Sequence, residues 1–158
     1  MSQYWYREDT QDGLIREIER LVELGFCFVL TDKEGLLLHM RQFSLFFSMK
    51  SKKSLSENRP DARIAIIAAP TIFCRMEKIS PDLLKQSQLL EFDRRFQVYE
   101  NFTFYDLNFP LAEEVKKLPK NSFDVVLADP PFWLPEYLNK LFETIDLIAK
   151  EEAKVIVC

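Results

Sequence analysis

Residues 123–132 read Phe123-Asp124-Val125-Val126-Leu127-Ala128-Asp129-Pro130-Pro131-Phe132. The short, nearly continuous apolar run suits a parallel strand covered on both faces. Two adjacent prolines fix φ and force an extended turn, so the strand stops where the carboxylate stands. Asp129 and the Pro130 carbonyl are then rigid, convergent acceptors beside the ring of Phe132. Such a group suits an amine: the acceptors take its hydrogens and aim its lone pair at an electrophile, while Phe132 packs by stacking or cation–π contact. The blander reading is a turn that only redirects the chain. Its position at a strand's carboxyl end, where open parallel sheets bind ligands, speaks against that.

The same punctuation recurs on the amino-terminal side. Ile64 to Ala69 is an apolar run closed by Pro70, and Thr71 to Ile79 can form a helix. Gln88 to Phe92 is a second strand ending in acid (Glu91, Asp93), and Phe102 to Tyr105 is a third ending in Asp106. These carboxylates and Asp129 are expected to face one site at the carboxyl end of a parallel sheet. After Phe132, Pro135 opens a helix with the buried stripe Leu138, Leu141, Phe142, Ile145 and Ile148, and Ala153 to Cys158 reads as a fifth strand. Alternating strands and helices predict an α/β fold with right-handed crossovers.

Nearer the start, Leu14, Ile15, Ile18, Leu21 and Val22 place a helical stripe on Asp9 to Leu24, with Asp9 or Thr10 as cap and Gly25 as stop. Phe26 to Leu30 and Leu36 to Met40 resemble two short strands around a polar loop. Phe43 to Phe47 and the polar stretch from Lys50 to Ala62 show no clean period. The organisation expected is therefore an aromatic segment and helix (1–24), an insertion or linker (25–62) and a core (63–158).

With 158 residues, 47% hydrophobic and 29% charged, the composition is that of one soluble domain with a real core. Its only glycines, Gly13, Gly25 and Gly35, precede the regular part, which excludes a G-x-G-x-x-G or P-loop there. A net charge of −4 argues against a life on the nucleic-acid backbone. The lysines at 50, 52 and 53 and at 116, 117 and 120 read as solvated faces. Cys27, Cys74 and Cys158 are odd in number and widely spaced, which suggests neither a disulfide framework nor a zinc site, and His39 is the sole histidine. No secretory signal or membrane span is recognised, so a cytoplasmic location is expected.

The tetrapeptide Asp129-Pro130-Pro131-Phe132 resembles the catalytic motif of amino-methyltransferases that use S-adenosylmethionine. More of the chain agrees with one branch. Ser2-Gln3-Tyr4-Trp5-Tyr6, Arg63-Ile64-Ala65-Ile66-Ile67-Ala68-Ala69-Pro70, Glu91-Phe92-Asp93-Arg94-Arg95-Phe96, Phe104-Tyr105-Asp106-Leu107-Asn108 and Ser122 to Pro131 occur in an order similar to that of the eukaryotic elongation factor 1-alpha lysine methyltransferases, long labelled adenine-N(6) methyltransferase-like. The resemblance implies a Rossmann-like methyltransferase fold with a mainly parallel sheet and an N-terminal helix. It implies that Ala68, Ala69 and Pro70 form the first strand-to-helix turn, where small side chains replace glycines beside the methionine part of the cofactor. Asp93, with Glu91 as the alternative, would accept from the ribose hydroxyls, and Asp106 would sit near the adenine. Asp129, Pro130, Pro131 and Phe132 would hold the acceptor amine in line with the methylsulfonium, and no metal is called for. Tyr4, Trp5 and Tyr6 are read equally as a lid over the site and as a packing staple.

Two departures from that pattern stand out. The stretch from about Gly25 to Asp61 has no counterpart where the family runs directly from first helix to first strand, and the family's last helix and antiparallel strand pair are missing, so the core is expected to be truncated. The leading expectation is a protein-lysine methyltransferase acting on translation elongation factor 1-alpha. The alternatives are an adenine-N(6) methyltransferase on nucleic acid and an inactive homologue acting as a binding module.

Overall fold

The computed structural model describes residues 7–24 and 61–158. The Tyr4-Trp5-Tyr6 lid, the strands expected at Phe26 to Leu30 and Leu36 to Met40, Cys27 and His39 lie outside the described residues.

β1 (Ile64–Ile67) is apolar at every position because it is covered on both faces and paired on both edges. Ile66 stands opposite Leu89 of β2 (Ser87–Glu91) on one side and Leu127 of β4 (Phe123–Ala128) on the other. β3 (Phe102–Phe104) pairs beyond β2 and β5 (Ala149–Val157) beyond β4, and every pairing is parallel. The resulting order, β3-β2-β1-β4-β5, is Rossmann-like, as the family resemblance implies, and α/β, as the alternating pattern predicts.

Successive side chains of a strand point to opposite faces, so β1 feeds two cores. Ile64 and Ile66 pack with Ile15 and Ile18 of α1 (Glu8–Leu24), with Ile72, Phe73 and Met76 of α2 (Pro70–Ile79), and with Leu83 of α3 (Pro81–Gln86). Ala65 and Ile67 pack with Val115 of α4 (Glu113–Lys116) and with Leu141, Ile145 and Ile148 of α5 (Pro135–Ile148). Each isoleucine taken from water contributes about 1.5–3 kcal/mol, so the two layers depend on β1 together. α1 is held to α2 by polar contact as well. Arg75 donates to Asp12 through Nε at 2.7 Å and Nη2 at 3.2 Å, and its guanidinium holds the Asp12 carboxyl below the usual carboxylate range.

Several boundaries differ from the sequence reading for local reasons. α1 begins at Glu8, so Asp9 and Thr10, expected as caps, lie inside its first turn, where Asp9 Oδ1 accepts from the Thr10 amide. α2 begins at Pro70 rather than Thr71, with proline in the first turn, where its missing N–H is no loss. α3, a 3-10 turn at Arg94–Val98 and α4 are too short to show a helical period in sequence. β5 starts at Ala149 rather than Ala153 because its register shifts opposite Phe123 and Val125. There the buried Asp124 accepts from Lys150 Nζ at 2.7 Å and from the Arg63 amide at 3.0 Å, so both carboxylate oxygens are satisfied.

The link from β1 to α2 is only Ala68 and Ala69. Ala68 follows β1 with φ at 55°, donates its amide to Leu90 O at 2.9 Å, and hands over to Ala69 as helix cap. A left-handed backbone costs an L-residue about 1–2 kcal/mol, while glycine there adds entropy to the unfolded chain. Ala68→Gly is therefore expected to lie within about 1 kcal/mol of the unsubstituted protein, on the more stable side, and Ala68→Val to lose about 2 kcal/mol. Urea unfolding measures both; a clear loss with glycine would show that the turn is not strained.

Candidate functional site

The strand ends are stitched together one step past the sheet proper. Ala68 N donates to Leu90 O at 2.9 Å, Tyr105 N to Glu91 O at 3.0 Å, Asp129 N to Ile67 O at 2.9 Å and Cys158 N to Ala128 O at 2.9 Å. Because all strands are parallel, these bonds bring the turns after β1, β2, β3 and β4 to one edge. The residues singled out in the sequence therefore share that edge: Ala68, Ala69 and Pro70 after β1, Glu91 and Asp93 at the end of β2, Asp106 after β3, and Asp129 to Phe132 after β4.

Their environments differ in ways the sequence does not reveal. Glu91 is buried, and its Oε1 accepts from the Asp93 amide at 3.0 Å; burial pushes its carboxyl above the usual range. Asp93 is committed to its own loop. Its Oδ1 accepts from the Arg95 amide at 2.9 Å and its Oδ2 from Arg95 Nε at 2.7 Å, and these bonds hold its carboxyl low. Asp106 closes a turn by accepting from the amide of Asn108 at 2.8 Å and its Nδ2 at 3.1 Å. Asp129 is half-buried and Pro130 buried, whereas Pro131 and Phe132 are exposed. The Phe132 ring leans on Tyr137 in the first turn of α5, with centroids 5.3 Å apart. Burial, reinforced by the Asp129 charge, lifts the thiol of Cys158 to about 11, so the field of Asp129 reaches the end of β5.

Several features of this edge escape the sequence reading. Phe92, Phe109, Trp133 and Leu134 are exposed apolar side chains following β2, β3 and β4, and with Phe132 they form an apolar rim. Each comes one to six residues after its strand's end, a placement that could have singled them out. Arg95 as the clamp on Asp93 carries no such signal. The hollow lined by Asp61, Arg63, Gln88 and Phe123 lies at the amino-terminal ends of the strands, away from the carboxylates. Among the described residues, no group of three or more His, Cys, Asp and Glu side chains is placed to hold a metal, and no helix is long and apolar enough to cross a membrane.

Comparison with known proteins identifies a family. The family described as probable N6-adenine methyltransferase matches residues 39–158. The EEF1A lysine methyltransferase 1 of Danio rerio is 31% identical over 162 residues, covering 100% of this chain and 74% of the relative. That of Mus musculus is 36% identical, covering 100% of this chain and 56% of the relative. A protein-lysine N-methyltransferase of Caenorhabditis elegans is 32% identical, with 100% and 59% covered. The chain thus spans three quarters of the fish protein and little more than half of the other two. No solved structure matches.

The Glu91 carboxyl gives a stability test. Its raised pKa means that the folded state resists ionising it, so its contribution favours folding at acid pH and is lost as pH rises through the raised value. Glu91→Gln keeps an acceptor for the Asp93 amide and removes the buried charge. The variant is expected to be more stable at pH 7 by about 1 kcal/mol, an advantage that fades toward pH 4. Denaturation across that range decides; lower stability at pH 7 would make the ionised carboxylate a structural group.

Proposed function

The chain belongs to the probable N6-adenine methyltransferase family, and on that premise we propose that it is an S-adenosylmethionine-dependent protein-lysine N-methyltransferase acting on translation elongation factor 1-alpha in the cytoplasm. The observation that carries this reading is the Asp129-Pro130-Pro131-Phe132 turn at the carboxyl end of β4, in a chain whose relatives are named for lysine methylation.

The residues at the strand ends fit the cofactor. Small side chains at Ala68 and Ala69 leave the β1 turn open to close approach, and the start of α2 presents a positive dipole end to a carboxylate. Ribose hydroxyls need acceptors. Glu91 suits them better than Asp93, because it ends β2 and is costly to bury, while both oxygens of Asp93 are already engaged by Arg95. Asp106 faces the adenine end. When bound, S-adenosylmethionine supplies a sulfonium methyl as the electrophile, so the protein's contribution is positioning.

Asp129 and the Pro130 carbonyl take the amine's hydrogens and direct its lone pair, and the apolar rim shields it. A lysine amine, with a reference pKa of about 10.4, must lose a proton before attack, and desolvation favours the neutral form. An ionised Asp129 opposes that loss, so its role is orientation and not general-base catalysis. The family's description favours a second reading, adenine as the acceptor, but a net charge of −4 weighs against a nucleic-acid substrate.

Calorimetry with S-adenosylmethionine and labelled-methyl transfer to elongation factor 1-alpha and to RNA, side by side, test the proposal. Label on the protein alone is expected, with a rate that climbs from pH 7 to 9; label on RNA alone would establish the adenine reading. Asp129→Ala is expected to cut transfer by about a hundredfold or more and leave cofactor affinity within about threefold. Glu91→Gln is expected to do the reverse, weakening cofactor binding by about tenfold. If the unsubstituted chain binds no cofactor, the enzymatic reading falls and the binding-module alternative gains.

A further inference from the structure

Thr144, on α5, is completely buried, yet its hydroxyl is bonded on two sides. The Tyr105 phenol oxygen lies 3.1 Å from Thr144 Oγ1, and Thr144 Oγ1 lies 3.0 Å from the Pro110 carbonyl oxygen. A carbonyl only accepts, so the Thr144 proton goes to Pro110, and its oxygen is left to accept the Tyr105 proton. The competing carbonyl of Lys140, one helical turn back, is 3.5 Å away and geometrically poorer. Burial raises the Tyr105 phenol to about 12, which keeps it a donor across the physiological range.

Tyr105 and Pro110 bracket the loop that carries Asp106. Inside it the Asn108 amide donates to Asp106 Oδ1 at 2.8 Å and the Phe109 amide to Asp106 O at 2.9 Å, and just beyond Pro110 the Ala112 amide donates back to Phe109 O at 3.0 Å. One hydroxyl on α5 thus grips both ends of the loop. The same helix starts at Pro135, three residues beyond Phe132 of the acceptor turn. The loops after β3 and β4 therefore lean on a common support.

We propose that Thr144 is a positioning residue, acting through Tyr105 and Pro110 to fix the Asp106 loop against the helix that follows the acceptor turn. This rests on the reading of Asp106 as the adenine end of the cofactor site. Thr144 has no exposed surface, so it touches neither cofactor nor acceptor. Valine would match its shape but leave the Tyr105 hydroxyl and the Pro110 carbonyl buried without a partner.

Thr144→Val, Thr144→Ser and Tyr105→Phe in the full chain test the inference by two readouts. Hydrogen exchange at the Phe109 and Ala112 amides without cofactor is expected to quicken about tenfold in T144V and to stay unchanged in T144S. The Kd and KM for S-adenosylmethionine are expected to rise about five- to tenfold in T144V and Y105F, with kcat at saturating cofactor within about twofold; combining the two should add little, as for one connected chain. Unaltered exchange in T144V, or faster exchange with unaltered cofactor affinity, would overturn the proposal. Y105F carries the same readouts if T144V does not fold. Failure of the unsubstituted chain to bind S-adenosylmethionine is a separate result: it overturns the cofactor assignment and, with it, the role of the grip in cofactor binding, whatever the exchange shows.

Discussion

β1 is four residues long, and the rest of the sheet is assembled around it. Each of its side chains is buried, its two edges are bonded to β2 and β4, and its two faces supply the two hydrophobic layers. Parallel pairing on both edges has a chemical consequence. It forces the carboxyl ends of its neighbours to the same side, so carboxylates distant in sequence, Glu91, Asp106 and Asp129, end at one edge. A central strand with no polar side chain is thus the condition for a polar edge.

That edge is ordered by backbone bonds beyond the strands, and they explain how a glycine-free core makes a turn usually given to glycine. Ala68 adopts a positive φ, and its amide is fixed by Leu90 O while the next strand's continuation, the Asp129 amide, is fixed by Ile67 O. Two bonds on either side of the turn resist its relaxation. Alanine is the smallest side chain that can be held there, and it keeps the approach to the backbone open at a modest cost in strain.

β1 and β4 were legible in the sequence because burial on both faces leaves continuous apolar runs ended by Pro70 and by Asp129-Pro130. α1 and α5 were legible through their apolar stripes, and α2 only as a stretch able to form a helix after Pro70. α3 and α4 were not, since six and four residues show too little of a period. Placing carboxylates at strand ends required only the strands; distinguishing among them required partners. Nothing in the string Glu91-Phe92-Asp93-Arg94-Arg95 tells which acid is buried and which is clamped by Arg95. Thr144 was invisible for the same reason, because its partners lie 39 and 34 positions away.

The differing environments also separate two tasks that one edge must perform. At pH 7 the neutral form of an ordinary lysine lies about 4–5 kcal/mol above the charged one, and carboxylates beside it widen that gap. An adenine amine carries no such penalty. On the lysine reading, a site full of ionised acids would hold its substrate in the unreactive state. The chain limits this in two ways: Glu91 resists ionisation and Asp93 is paired with Arg95. Asp129 then stands as the carboxylate nearest the acceptor, bordered by Phe132, Trp133 and Leu134, whose exposed apolar surface would exclude water once a protein substrate covers it. On that reading the rim's value lies in the desolvation of the amine beside it, since exposed side chains bury little apolar surface within the chain itself.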